Sequence, residues 1–212
     1  MSADPAIRNH REYERAADSY VEANADRSVI EPMLVELTSR LRRGARLIDV
    51  GCGMGWKTAE LTRRGFPTTG LDLTSGQLRY ANEHHPGHGY VQADMRRLPL
   101  PTDRFDGAWA CASLLHVPKA GLTDTLSEIR RVLKPGAVLV ASVQSGDSEG
   151  LVRGMNAAAP LLFYSYHAPG EWRGYLERAG FDIELLEHEQ VDADHLNEGA
   201  TGWTTSVARK PR

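Results

Sequence analysis

The chain has 212 residues, 41% of them apolar, and its 25 Lys and Arg against 28 Asp and Glu leave a formal charge of −3. That length can bury one good core, while the charge offers no broad basic face for a phosphate backbone, which disfavours nucleic acid as a partner. No run approaches the roughly 18 to 20 apolar residues of a membrane span, the start MSADPAIRNHREYERAAD has no apolar signal core, and Cys52 and Cys111 form neither a zinc spacing nor a disulfide framework; the expectation is a cytoplasmic protein.

Residues up to about Arg42 read as a helical prelude in which Tyr13, Ala16, Ala17 and Tyr20 share one face, as packing or as a lid over a site. Residues 43–212 then alternate strand and helix signals within what reads as a single domain. ARLIDVG is a first strand, and KTAELTRRG a helix stopped by Gly65. PTTGLDL is a second strand, followed by a helix that Thr74 or Ser75 opens. GYVQAD and RFDGAWACAS are the third and fourth. Leu122, Leu126, Ile129 and Leu133 mark one face of a helix, which KPG (Lys134–Gly136) is expected to break before the strand AVLVASV. A helix through GEWRGYLERAG leads to FDIELLEHEQ, and GWTTSVARK closes the chain as a strand. This alternation predicts an α/β fold: a mostly parallel sheet with helices on both faces.

In such sheets ligands sit at the carboxyl ends of the strands. RLIDVGCGMGWKT ends the first strand in a turn with glycines at 51, 53 and 55, which let a backbone approach a ligand. The third glycine comes one residue earlier than in the dinucleotide fingerprint, and Lys57 follows Trp56 rather than a glycine, unlike a phosphate-gripping loop. Asp72 ends the second strand, where a carboxylate accepts hydrogen bonds from ribose hydroxyls. Asp94 follows the third strand, where a carboxylate can accept from an adenine amino group. Each acid alone also suits a cap or a solvated turn. Asp49, Asp72 and Asp94 in this order beside the glycine turn point to a nucleoside.

On these residues the chain resembles the class I S-adenosylmethionine-dependent methyltransferases, and within them the small-molecule branch typified by ubiquinone and menaquinone biosynthesis. LIDVGCGMG is similar to the family's first motif, GLDLTSGQL to its ribose-binding motif and QADMRRLPLPTDRFDGAW to its adenine motif. ASLLHV and EIRRVLKPGAVLV resemble the next landmarks. The resemblance implies a Rossmann-like seven-stranded, mostly parallel sheet with an antiparallel last strand, and S-adenosyl-L-methionine as cofactor. It implies that Gly51, Cys52, Gly53 and Gly55 line the methionine and ribose part, with Asp49 organising their loop. By the same likeness Asp72 holds the ribose, Leu73 packs on adenine, Asp94 with the Met95 backbone takes the adenine edge, and the backbone near Ala110 or Cys111 faces the methionyl amine. Tyr20, on the prelude, is placed with the cofactor contacts.

An unperturbed histidine titrates near pH 6.5, so His116, after the fourth strand, is the candidate catalytic base; loop hydrogen bonding is its plainer role. His167 is a weaker candidate because HAPGEW also suits a helix start. Tyr164, Tyr166, Glu149, Arg153 and Trp172 are candidates for the acceptor pocket, with the loops QSGDSEGLVRGMN and APLLFYSYHAPGEW and the prelude. His84, His85 and His88 are interrupted by Pro86-Gly87 and read as surface, so no metal site is assigned. The functional expectation is methylation of an oxygen or nitrogen of a small molecule by a monomer or homodimer. Alternatives are a tRNA or peptide acceptor, a nonenzymatic S-adenosylmethionine-binding protein, a non-methylating reaction on this fold, and, disfavoured by the glycine spacing, an NAD-dependent dehydrogenase.

Overall fold

The computed structural model describes residues 4–15, 30–153, 160–192 and 196–212. Helix α1 (Pro5–Arg15) and helix α2 (Glu31–Thr38) precede the core. Strand β1 (Leu47–Val50), helix α3 (Trp56–Arg63), strand β2 (Thr68–Asp72), helix α4 (Ser75–His84) and strand β3 (Gly89–Gln92) follow in strict alternation. After strand β4 (Phe105–Cys111) come a single 3-10 turn (Leu114–His116), helix α5 (Lys119–Val132) and strand β5 (Leu133–Ser145). A ribbon of strands β6 (Glu149–Arg153) and β7 (Leu161–Ser165) leads to helix α6 (Pro169–Arg178) and strands β8 (Asp182–Glu189) and β9 (Gly202–Arg209).

The main sheet has seven strands in the order β3-β2-β1-β4-β5-β9-β8. β1 to β5 pair in parallel, and only β9 runs against its neighbours. Side chains alternate across the strands, so consecutive residues feed opposite cores. Ile48, Val50, Ala108, Ala110, Leu139 and Ala141 face Leu122, Leu126 and Ile129 of α5 and Trp172 and Leu176 of α6. Leu47, Trp109, Val138 and Val140 face Leu34 and Leu37 of α2 and Leu61 of α3. Helix α2 is therefore part of the core, which limits any lid within the described prelude to α1.

Two boundaries differ from expectation. The Lys134–Gly136 stretch does not separate helix from strand, because β5 already begins at Leu133. Pairing with β4 jumps from Phe105–Leu133 to Gly107–Val138, and the intervening residues bulge with Gly136 at φ 81°. The second difference is that the two stretches read as acceptor loops contribute β6 and β7, which pair antiparallel apart from the main sheet, Glu149 opposite Ser165 and Arg153 opposite Leu161. Among the described residues, no helix is long and apolar enough to cross a membrane.

Candidate active site

A cavity opens at the carboxyl ends of β1, β2, β3 and β4, roofed by α1. Its floor is the turn after β1. Gly51 and Gly53 line it with φ of 74° and 52°, and the N–H groups of Gly51 and Cys52 both donate to the Leu71 carbonyl, at 2.7 and 2.9 Å. A Cβ on Gly51 would stand 2.4 Å from the Ser113 Cβ, so a glycine is required there by space as well as torsion. Ser113 in turn donates its hydroxyl to the Val50 carbonyl at 2.7 Å, tying the β4 loop to the β1 turn.

Asp72, half-buried at the end of β2, lines the next part of the wall. One carboxylate oxygen accepts the Gly53 N–H at 2.9 Å and the other the Thr74 N–H at 2.8 Å. Burial raises its pKa from the ordinary carboxylate value, against the pull of those backbone donors. Leu73, Asp94 and Met95 extend the wall. Asp94 is gripped by Arg96, whose Nε lies 3.0 Å from both oxygens and whose Nη2 lies 2.7 Å from Oδ2. The same guanidinium holds Asp4, just ahead of α1, at 3.0 and 2.8 Å. Arg96 is the one Lys or Arg among the described lining residues, and its charge faces two carboxylates.

Four sequence candidates do not line the cavity. Asp49 is buried beneath it, accepting the Thr58 hydroxyl at 2.7 Å, and desolvation raises its pKa to about 6. Cys52 turns its side chain under β2, so that a Cβ on Gly70 would meet its Sγ at 2.9 Å, and burial pushes the thiol pKa up. Gly55 starts α3 at φ 80° and is pressed by Tyr90 and Ala81, so its glycine serves helix packing. Cys111 faces the α2 side of the sheet and takes a hydrogen bond from the Ser142 hydroxyl at 3.1 Å; Ala112, with φ 53°, and Ser113 line the cavity in its place. Ala16, Ala17 and Tyr20 lie outside the described residues.

His116 does line the cavity, in a setting that corrects its expected pKa near 6.5. Burial lowers it to about 4, so the ring is neutral at neutral pH and a weak base. Nδ1 lies 2.9 Å from the Phe163 carbonyl and Nε2 lies 2.8 Å from the Tyr13 hydroxyl. Asn9, buried in α1, closes this corner by accepting the Phe163 N–H at 2.7 Å and donating to its carbonyl at 2.9 Å. Ala6, Asn9, His10 and Tyr13 form the cavity face of α1. They continue upstream the stripe read through Tyr13, and extending that spacing by two turns was the signal available for them. Glu14 clamps the far end of α1 by accepting from the Ser75 hydroxyl and the Gly76 N–H, at 2.9 and 3.0 Å.

The remaining acceptor candidates are mostly packing. Trp172 is fully buried, donating to the Ser206 hydroxyl at 3.1 Å. His167 is buried beside Ser165, 3.1 Å from its hydroxyl, in the turn that starts α6. Tyr164 and Tyr166 are buried in a satellite cluster with Leu115 and Leu162. Glu149 accepts the Lys119 N–H at the start of α5, at 2.8 Å. His84, at the end of α4, stacks on Tyr80.

Comparison with known proteins now decides the family. Residues 48–141 match a family model described as a methyltransferase domain. A malonyl-[acyl-carrier protein] O-methyltransferase from Salmonella typhimurium is 36% identical, the match covering 92% of this chain and 83% of that protein. The chain belongs to the class I S-adenosylmethionine-dependent methyltransferases. Its cofactor is S-adenosylmethionine. These relatives support the class and not the ubiquinone and menaquinone branch within it. The chain spans about half the length of other curated relatives, 52% of one and 45% of another. Among solved structures, a 1,6-didemethyltoxoflavin N1-methyltransferase from Burkholderia thailandensis with bound S-adenosylhomocysteine superposes with a TM-score of 0.76 at 22% identity, covering 100% of this chain and 92% of that one. The [4+2]-cyclase SpnF superposes with a TM-score of 0.77 at 20% identity, covering 100% and 98%. Both establish the fold alone.

Proposed function

We propose that the chain moves a methyl group from S-adenosylmethionine to an oxygen or nitrogen of a small molecule. Asp72 carries the reading. A carboxylate offers about four lone-pair sites, and two are taken by Gly53 and Thr74. The other two suit a vicinal pair of ribose hydroxyls. Leu73 and Met95 provide apolar surface for a purine, and Gly51, Gly53, Ala112 and Ser113 form a close-approach wall for the amino-acid end. Arg96 is already committed to Asp94 and Asp4, so no spare guanidinium is present among the described lining residues for a pyrophosphate. In this reading Asp94 serves an adenine edge together with Arg96.

The bound cofactor supplies an activated methyl group on a sulfonium. The chain's part is to align and dry the reactants, and alignment alone supplies up to roughly 7 to 11 kcal/mol in well-ordered cases. His116 orients Tyr13 in this scheme rather than removing a proton as a free base. The rate profile should then lack a histidine inflection near pH 6.5, because His116 stays neutral until pH falls to about 4. By their names, the Salmonella relative is an O-methyltransferase of malonyl-[acyl-carrier protein] and the Burkholderia protein an N1-methyltransferase of 1,6-didemethyltoxoflavin, an oxygen and a nitrogen acceptor.

The test is incubation with methyl-labelled S-adenosylmethionine and separated small-molecule, protein and RNA pools, beside calorimetry with S-adenosylhomocysteine and NAD. Label should enter the small-molecule pool, and S-adenosylhomocysteine should bind in the micromolar range, about −8 kcal/mol. Label confined to protein or RNA would overturn the acceptor class. Binding without transfer to any pool would make the chain a cofactor-binding protein instead.

A further inference from the structure

We infer that Arg96 is a positioning residue that makes adenine recognition and the seating of α1 one event, through Asp94 on the cavity wall and Asp4 just ahead of the helix. The inference rests on the cofactor reading above, in which Asp94 serves the adenine edge, and deepens it.

A guanidinium presents two edges that each match a carboxylate. Arg96 uses both. On one edge, Nε lies 3.0 Å from each Asp94 oxygen and Nη2 lies 2.7 Å from Oδ2. On the other, Nη1 and Nη2 donate to the two Asp4 oxygens at 3.0 and 2.8 Å. These bonds hold the Asp4 carboxyl below its ordinary pKa, so it stays charged at neutral pH. The guanidinium is planar and rigid. The two carboxylates therefore share one frame, and displacing either pulls on the other.

Each carboxylate has a second commitment. Asp94 Oδ1 also accepts the Arg96 backbone N–H, at 2.9 Å. A carboxylate offers about four lone-pair sites; the backbone N–H, Nε and Nη2 of Arg96 meet three of them. Room is left for one further donor, and Asp94 lines the cavity where an adenine amino group would supply it. Asp4 caps α1: its Oδ1 accepts the Ala6 N–H at 3.0 Å and its carbonyl the Arg8 N–H at 3.1 Å. Ala6 lines the cavity as well. Asn9 and Glu14 hold α1 further along, so Arg96 governs its first turn. Without the guanidinium, Asp4 and Asp94 would be like charges in one gap.

The test is calorimetry of the full chain with S-adenosylhomocysteine and with its analogue lacking the adenine 6-amino group, beside hydrogen exchange of α1 at saturating ligand. Wild type should bind S-adenosylhomocysteine about tenfold more tightly than the analogue and show the greater protection of α1 with it. Asp4→Asn keeps an oxygen for the Ala6 N–H but loses the charge and one of the oxygens that Arg96 grips. Asp4 does not line the cavity, yet this variant should bring the two ligands within about threefold and remove the extra protection. Arg96→Lys, which keeps the charge without the fork, should lower S-adenosylhomocysteine affinity about tenfold and narrow the preference likewise. A full preference retained in Asp4→Asn would overturn the inference and leave Asp94 at the adenine edge. Equal weakening of both ligands in Arg96→Lys would also overturn it, since a merely structural arginine acts that way. No preference in wild type would remove Asp94 from the adenine edge and the inference with it. A wild-type chain that binds neither ligand would remove the cofactor reading itself.

Discussion

On the glycine-turn side of the cavity, the wall comes from residues that follow directly on their strands: Gly51 and Gly53 after β1, Leu73 and Thr74 after β2, Asp94 to Arg96 after β3. On the roof side, Asn9 of α1 bonds the backbone of Phe163 in β7, 154 residues away, and His116 from the turn after β4 completes the corner. The first wall is held by short backbone bonds between neighbouring strand ends. The second depends on side chains of α1 and of the turn after β4 meeting the backbone of β7. The place of Asp72 at a strand end can therefore be read from the sequence, whereas the setting of His116 depends on a distant carbonyl.

The largest effect should come from Gly51→Ala, which breaks the floor. A left-handed torsion costs a non-glycine residue roughly 1 to 2 kcal/mol, and forcing a methyl into filled space adds roughly 1 to 3 kcal/mol. Denaturant midpoints should report a loss in that combined range, with S-adenosylhomocysteine binding reduced in calorimetry. A variant of native stability would mean that Ser113 can retreat.

Next comes Asp72→Ala on the same wall. Losing charge-assisted hydrogen bonds should cost roughly 1.5 to 3 kcal/mol of S-adenosylhomocysteine affinity. Unchanged calorimetric affinity in a folded variant would remove Asp72 from the site.

Asn9→Ala sharpens the comparison from the roof. The Phe163 N–H loses its side-chain acceptor, for roughly 1 to 3 kcal/mol of stability. Hydrogen exchange should quicken in α1 and leave the β1 and β2 ladder protected. Uniform deprotection across both regions would show that roof and floor open as one unit.

The smallest effect should be that of Cys111→Ala. Its side chain faces the α2 side and bonds Ser142, so cofactor affinity should stay within about 0.5 kcal/mol of wild type. A larger loss would mean that the β4 end transmits its packing to Ala112.

The sequence by itself determined the alternation of strands and helices, the antiparallel closing strand through its family likeness, and the order of Gly51, Gly53, Asp72 and Asp94 along one sheet edge. These are local matters: apolar spacing sets which face of an element is buried, and glycine torsions set where a turn forms. Gly55 and Cys52, which the family likeness places at the cofactor, stand off the cavity in environments made by Tyr90 and Gly70 on β3 and β2. The β6–β7 ribbon was not legible because Glu149–Arg153 and Leu161–Ser165 are five-residue segments, the first of them mixed polar and apolar, that look like loop until they pair. Only the tertiary structure decided that α2 belongs to the core while α1 roofs the cavity, and that Arg96 binds Asp4 and Asp94 together. It also decided the setting of His116, because burial lowers that ring's pKa and a carbonyl 47 residues away lies within hydrogen-bond distance of Nδ1. Burial and hydrogen-bond direction are properties of neighbours in space, and for His116 those neighbours come from α1 and β7.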